Sequence, residues 1–334
     1  MKPEQLMETT PKTIRWGIIG LGKIAHKFAT DLATVPNAQL YAVASRTQEK
    51  ALEFAQKHNA VKAYDSYEAL ANDSMLDAVY IATPHVYHKE NTIMCLKNGI
   101  AVLCEKPFAM NLQEVEDMIA TAQASNTLLM EALWTAFLPH YQYVQQLLRE
   151  KVYGEIITLK ADFGFKPKYD PSSRVIAKNL GGGSLLDIGL YPIFAALSTL
   201  GKPNNITAEA EFFEGGADAS CTMVFEYNKQ IKAYLKSTLV EETATQAIFH
   251  CEKGSIKLHT KFHQPTTVEL IPNDGPSELK DFGYTSIGYN FETLHFNDLI
   301  RKGKKESDIM TFNFSRTLIN TLDTVRALIG LEYQ

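Results

Sequence analysis

Two glycines spaced to cradle a phosphate lie near the front of the chain, in Gly20-Leu21-Gly22-Lys23-Ile24-Ala25, which fits G-x-G-x-x-A. A β-branched run precedes the motif and an amphipathic pattern follows it, so it falls on a strand-to-helix turn. Gly20 permits the tight turn, and Gly22 lets the backbone approach a pyrophosphate. The free N–H groups opening the helix at Lys23 and Ile24 offer that anion a positive dipole end. Two glycines that merely end a strand are the bland alternative, and the strand-turn-helix context argues against it. Where an NAD-selective domain carries an acid after its second strand, this chain has Ser45-Arg46-Thr47, with no acid before Glu49. A carboxylate repels a 2′-phosphate, whereas a guanidinium and two hydroxyls bind it by charge-assisted hydrogen bonds. The expected cofactor is NADP, with NAD possible. Arg46 by itself is equally explained as a solvated charge beside a Ser45 helix cap.

Further chemistry sits where two more apolar runs end. Glu105-Lys106-Pro107 follows one of them, at the carboxyl edge where open α/β sheets hold ligands. An isolated lysine there commonly snorkels to water, but beside a nicotinamide an ammonium acts electrostatically or as an acid. Thr83-Pro84-His85 follows the other run, with His88 three residues on. His85 is expected to line the pocket, while His88 is as readily a residue of a helix N-terminus. Neither this pair nor His259 with His263 has ligand spacing with a carboxylate or thiolate, so no metal is expected.

Positioning these groups takes an alternating fold. Runs over 14–19, 39–44, 78–82 and 100–104 are nearly continuously apolar, as in strands buried on both faces. Amphipathic segments over 23–34, 48–58 and 86–98 lie between them, and Asn111 with Glu114 resembles a capping box for a helix to residue 124. The order predicts a doubly wound α/β domain of the Rossmann type. After an apolar run over 127–133 and a helix around 141–150, alternating stretches cover 155–165, 207–213, 219–227, 230–240, 244–251 and 267–271. Turn signals at Asn228-Lys229 and Lys253-Gly254 join several of them, which predicts a large, mainly antiparallel, open-faced sheet. Helices over 183–200, 291–302 and 314–329 complete an α+β domain. The expected division is a dinucleotide-binding domain over 1–134 and a substrate and oligomerisation domain over 135–334, whose last helix can dock back on the first.

A chain of 334 residues exceeds what one hydrophobic core usually supports, in keeping with two domains. With 45% apolar and 21% charged residues, it is neither disordered nor fibrous. The net charge of −5 leaves no basic excess for phosphates, so no nucleic-acid partner is expected. Cys95, Cys104, Cys221 and Cys251 form no C-x-x-C pair and read as buried, reduced thiols. Residues 1–12 are polar and lack an apolar leader core. The most apolar stretch, 185–200, carries Asp187 and Pro192 and is too short to span a bilayer, so no membrane partner and a cytoplasmic location are expected.

The glycine turn, Glu105-Lys106-Pro107 and Gly181-Gly182-Gly183-Ser184-Leu185-Leu186-Asp187-Ile188-Gly189-Leu190-Tyr191-Pro192 together resemble the Gfo/Idh/MocA oxidoreductases, over essentially the whole chain. Trp16-Gly17-Ile18-Ile19, Met130-Glu131-Ala132-Leu133-Trp134-Thr135 and the tyrosine at 191 look most like the dimeric dihydrodiol dehydrogenase and NADP-dependent D-xylose dehydrogenase subgroup. Many sugar-oxidising members carry His in D-x-G-x-H where this chain has Tyr191. The resemblance implies hydride transfer between nicotinamide C4 and a secondary alcohol or carbonyl of a sugar, polyol or cyclic trans-diol. Tyr191 is then the proton-handling group, with a phenol pKa that Lys106 lowers. Asp187, one turn earlier on the same face, orients Lys106 or binds a substrate hydroxyl. Tyr191 without the resemblance reads as a core residue with a wet hydroxyl. The resemblance also places the Thr83–His85 loop against the nicotinamide side.

Trp134 and Phe163 are either an apolar wall for a substrate ring or ordinary core aromatics. Val224 and Tyr234 enrich one face of the second sheet, and relatives use that face to dimerise, so a homodimer or a dimer-based tetramer is expected. The competing function is a non-catalytic dinucleotide or sugar sensor on the same fold, against which Lys106, Asp187 and Tyr191 together argue.

Overall fold

The computed structural model describes residues 11–333; the polar front segment, up to residue 10, lies outside them. Strands β1 (Ile14–Ile19), β2 (Ala38–Ala44), β3 (Lys62–Tyr64), β4 (Ala78–Ile81), β5 (Ala101–Glu105) and β6 (Leu129–Ala132) form one sheet in the order 3-2-1-4-5-6. All neighbours in it are parallel. Helices α1 (Lys23–Leu32), α2 (Gln48–His58), α3 (Tyr67–Ala71), α4 (His88–Lys97) and α5 (Leu112–Ala124) connect the strands. Every residue of β4 and β5 is buried, because the crossovers cover both faces, which is why these strands read as unbroken apolar runs. The order reverses between β1 and β4, and ligands of such sheets bind in the crevice at that switch. β3 and α3 escape the sequence reading. The strand has three residues, all half-buried, and so carries no period.

The second sheet has eight strands: β7 (Ile156–Gly164), β8 (Asn205–Phe212), β9 (Asp218–Glu226), β10 (Lys232–Thr238), β11 (Ala247–Cys251), β12 (Gly254–Leu258), β13 (Val268–Pro272) and β14 (Glu278–Lys280). Their order is 14-13-12-11-7-10-9-8, antiparallel except where β10 runs parallel to β7. The sheet is therefore mainly antiparallel, as expected, with one parallel pair at its centre. That pair arises because a helical crossover and the β8–β9 hairpin intervene between β7 and β10. Leu159, Met223, Phe225, Leu235 and Phe249 turn inward, while Lys160, Val224, Tyr234 and Ile248 face out, with Tyr234 45% exposed.

Helix α6 (Pro139–Arg149) precedes this sheet, and α7 (Leu190–Leu200) packs on its inner face against β7 and β10. The expected helix over 183–200 is present from residue 184, with its first part, Leu185–Gly189, wound as a wider π turn that runs into α7, and it follows Gly181 and Gly183 with φ of +76° and +128°. The longer segment Lys178–Leu200, which contains the 185–200 stretch, is long and apolar enough to cross a membrane, but 94% of its window is buried within the fold.

The last two helices, α8 (Tyr289–Arg301) and α9 (Phe312–Ile329), return to the first sheet's layers. The Asp31 carboxylate of α1 accepts hydrogen bonds from the N–H groups of Ile287, Gly288 and Tyr289 at 3.1, 2.7 and 2.8 Å, which caps α8. Trp16 Nε1 donates to Asn297 Oδ1 at 3.0 Å. α9 lies along α5, where Arg316 forks onto Glu116 at 2.8 and 2.9 Å and Asp323 accepts from Leu112 N at 2.9 Å.

Candidate active site

At the turn between β1 and α1, Gly20 has φ +89°, and a Cβ there would stand 2.7 Å from the Ala82 carbonyl carbon and the Thr83 nitrogen. Only glycine lets β1 approach the end of β4 so closely. A Cβ on Gly22, by contrast, would meet nothing within 4 Å. The helix that opens there has no side-chain cap and no acid in its first turn, so Lys23 and Ile24 begin a helix end left open to an anion. Small Ala25 is fully buried against the sheet. These features fit a dinucleotide pyrophosphate.

At the end of β2, Thr47 rather than Ser45 occupies the N-cap of α2, and it makes no side-chain cap. The helix-cap explanation of Ser45 is thereby corrected. Arg46 and Thr47 are exposed, and Arg46 makes no ion pair among the described residues. Its guanidinium is available to a phosphate at the edge of the same crevice.

The β4 and β5 ends are braced from below. His88 is fully buried at the first position of α4, with Nδ1 2.9 Å from the Pro107 carbonyl and Nε2 2.9 Å from that of Thr83. It ties the two loops together. The Thr83 hydroxyl accepts from Asn91 at 3.3 Å, and after Pro84 the chain turns His85 toward the second domain. Glu105 accepts from the buried Tyr80 hydroxyl and, at 3.1 Å, from Lys106 N. Burial raises the Glu105 carboxyl.

Across the crevice, the π turn and α7 present Asp187 and Tyr191 to Lys106. Lys106 Nζ donates to the Asp187 carbonyl at 2.6 Å and to its Oδ1 at 3.3 Å, and it lies 5.1 Å from the centre of the Tyr191 ring. Arg174 Nη1 donates to the same Oδ1 at 3.2 Å, and His85 Nε2 is 3.9 Å away. Burial alone would raise the Asp187 carboxyl, but the charges of Lys106 and Arg174 outweigh it and hold the group well below the usual carboxylate range. His85 is driven the other way, down to about 3 by burial, and is neutral. The glycine turn thus lies against the end of β4 at Thr83, and His85, two residues on, stands beside Asp187.

The Tyr191 hydroxyl accepts from Trp134 Nε1 at 3.1 Å. Its phenol is pushed well above the ordinary value, first by burial and then by the Glu105 charge. The expectation that Lys106 lowers it is corrected. The ammonium sits over the ring face, its two hydrogen bonds go to Asp187, and burial dominates. Around the phenol, Phe163 lies 5.7 Å away ring to ring, Tyr289 stacks on Trp134 at 4.4 Å, and His263 stands 4.9 Å from the Tyr191 ring.

Arg174, His263 and Tyr289 were missed as site residues. Arg174 lies in the loop between β7 and the π turn, where no period marks it. In the sequence His263 stands out only by its spacing from His259, which pairs instead with Glu269 at 3.1 Å and Thr267 at 3.0 Å. Tyr289 follows Gly288 at the start of α8, where the sequence shows only a helix.

Residues 14–133 match the oxidoreductase family with an NAD-binding Rossmann fold, and residues 141–257 match the GFO/IDH/MocA C-terminal domain. A trans-1,2-dihydrobenzene-1,2-diol dehydrogenase of Xenopus tropicalis is 37% identical over 328 residues, covering 96% of this chain and 99% of that protein. The enzyme of the same name from Homo sapiens is 34% identical over 331 residues, covering 96% and 98%. A 3-ketoreductase from Actinomadura kijaniata, solved with NADP and TDP-benzene, aligns with a TM-score of 0.86 at 26% identity, over 95% of this chain and 98% of that one. An aldose-aldose oxidoreductase from Caulobacter crescentus shares the fold, with a TM-score of 0.87 at 21% identity over 96% and 98%.

Proposed function

From the premise that this chain belongs to the Gfo/Idh/MocA oxidoreductase family, we propose that Tyr191, Lys106 and Asp187 handle the proton while a diol or sugar exchanges a hydride with NADP. The activity is that of an NAD(P)-dependent dehydrogenase or reductase acting on CH–OH groups. When bound, the nicotinamide supplies or takes up the hydride at C4. The open helix end after Gly22 holds the pyrophosphate, and Arg46, with Ser45 and Thr47, holds the 2′-phosphate. NAD is accepted more weakly.

The hydrogen bond from Trp134 to the Tyr191 hydroxyl, with Lys106 held by Asp187 over the same ring, carries this reading. In the reducing direction the neutral phenol donates its proton to the substrate oxygen. Trp134 Nε1–H then stabilises the phenolate left behind. In the oxidising direction the phenolate removes the hydroxyl proton, without which the hydride cannot leave. Asp187 fixes Lys106 in place, and its own charge is balanced by Arg174. Trp134 and Phe163 give the substrate ring an apolar wall.

The open face of the second sheet, with Val224, Tyr234 and Ile248, joins two copies. The four buried free cysteines suit a cytoplasmic location. Nicotinamide absorbance, followed with NADP and with NAD over a panel of aldoses and trans-diols, tests the function. Turnover of one of these classes with NADP is expected. Tight NADP binding with no turnover of any would make the protein a sensor.

A further inference from the structure

The helix that aims Asp187 and Tyr191 is fed by three consecutive glycines, Gly181-Gly182-Gly183, which have no side chains to hold them. Their N–H groups all bond back to the loop before them: Gly181 to the Lys178 carbonyl at 3.0 Å, Gly182 to that of Ala177 at 3.0 Å and Gly183 to that of Val175 at 2.9 Å. The glycine run and the loop that carries Arg174 therefore move as one body. Its carbonyls reach outward. That of Gly181 lies 3.3 Å from His85 Nδ1, and that of Gly182 accepts from the Tyr333 hydroxyl at 2.9 Å, 151 residues away in sequence.

Tyr333 is itself anchored. Gly330, with φ +70°, turns the chain off the end of α9, Leu331 N donates to the Arg326 carbonyl at 2.9 Å, and the Leu331 side chain is buried. The Arg326 guanidinium lies 5.4 Å from the centre of the Tyr333 ring and bonds to Asp323, which also holds the start of α5 through Leu112 N. Burial pushes the Tyr333 phenol up, so it stays protonated and serves as a donor. A Cβ on Gly183 would stand 2.1 Å from Asp218 Oδ1 and 3.3 Å from the Tyr333 hydroxyl, so β9 and the segment after α9 close on the same glycine.

We propose that Tyr333 is a positioning residue for the reaction: its hydroxyl locks the glycine run and the loop behind it, and so keeps Arg174 on Asp187. The kinetic consequence rests on the diol or sugar oxidoreductase reading above. The Arg174 side chain is 42% exposed and holds Asp187 by one hydrogen bond of 3.2 Å. An ion pair open to water on one side adds little by itself, so the loop is kept in place by its backbone and by what the backbone is tied to. Tyr333 supplies that tie from the terminal helix. When it is lost, the loop lifts and Arg174 leaves. Asp187 then keeps Lys106 as its one close cation, and the pair is free to shift beside Tyr191, where small displacements lower kcat.

The test compares wild type, Tyr333→Phe, Arg174→Met and the double variant. Tyr333→Phe keeps the ring beside Arg326 and removes only the hydroxyl. Trypsin reads the lock without turnover, because Lys168 and Arg174 are exposed in the loop and cleavage of a folded chain follows the population of its opened form. Cleavage between residues 168 and 178, mapped by mass, is expected to quicken about five- to tenfold in Tyr333→Phe, the size of one neutral hydrogen bond, with cleavage elsewhere unchanged. An unchanged rate in the loop, or an equal rise throughout the chain, overturns the inference. In the kinetic arm, D-xylose and trans-1,2-dihydrobenzene-1,2-diol are oxidised at saturating NADP. Tyr333→Phe should lower kcat about five- to tenfold, and the double variant should be no slower than Arg174→Met alone, because the two act through one contact. An unaltered kcat in Tyr333→Phe, or losses that multiply in the double variant, overturns it too. Wild type that turns over neither substrate defeats the functional reading instead, and the trypsin arm still decides the lock.

Discussion

Burial raises the Tyr191 phenol far above neutrality, so it rests protonated, the form the proposed reduction needs. Carbonyl reduction uses that form directly, and kcat for reduction is expected to stay flat from about pH 6 to 9 while kcat for oxidation climbs across the same range as phenolate accumulates. Tyr191→Phe should lower kcat by about 10²- to 10⁴-fold, the usual worth of a positioned acid or base, and leave the NADP Kd within about twofold. Near-normal turnover in that variant would move proton transfer to Lys106. At the opposite end of the crevice, Arg46 carries a free charge where an NAD-selective domain carries an acid. Arg46→Asp should invert the preference for NADP over NAD in parallel titrations, since it exchanges attraction of a 2′-phosphate for repulsion. Wild type binding NAD as tightly as NADP would sink that argument.

The π turn between Gly183 and α7 is the element that aims Asp187 and Tyr191, and it is anchored from β9. Asp218 Oδ2 accepts from Ser184 Oγ at 2.6 Å and from Leu185 N at 2.7 Å, and Ser184 continues the link to Ser237 of β10 at 2.9 Å. Gly183 is required there, because a Cβ on it would stand 2.1 Å from Asp218 Oδ1. Asp218→Ala frees the start of the turn, and displacements of about 1 Å at a reacting centre cost about 10²-fold. Its kcat is expected to fall by roughly that factor with little change in NADP affinity, measured by fluorescence titration. An unchanged kcat would show that α7 alone positions the pair. At the front of α5, Asn111 Oδ1 accepts from Glu114 N at 2.9 Å, while Glu114 answers to Met110 N at 3.0 Å. The capping box is thus present with its return bond displaced by one residue.

Over the whole molecule, Glu131 of β6 joins the first sheet to the terminal helix. It accepts from Phe108 N at 3.2 Å and from Ser315 Oγ of α9 at 2.6 Å, and burial pushes its carboxyl up to about 7. An acid with a raised folded pKa lends stability that is complete below its unfolded value and lost as pH rises through the folded one. Wild type should therefore lose up to about 3 kcal/mol from this group between about pH 4.5 and 7. Glu131→Gln, which can keep both hydrogen bonds, escapes that loss. Its Tm advantage over wild type is expected to grow from pH 5 to pH 8, and a gap that stays constant with pH would contradict the assignment. At the level of assembly, light scattering should give about twice 37.4 kDa at micromolar concentration. Tyr234→Glu on the open sheet face should reduce that mass to a single chain. A single-chain mass for wild type rules the dimer out.

Local pattern determined much of this protein. The G-x-G-x-x-A turn, the unbroken apolar strands and the alternating strands each read directly, because a motif or a period is a property of neighbours in sequence. Lys106, Asp187 and Tyr191 were named as partners through a family resemblance. The tertiary structure decided what depends on distant surroundings: the short β3, the π winding at the start of the 184–200 helix, Arg174 on Asp187, and His263 beside Tyr191. It also reversed the expected titration of Tyr191. Charge sign can be read from a sequence, but the balance between a nearby ammonium and the loss of water is set by packing, and here packing prevails.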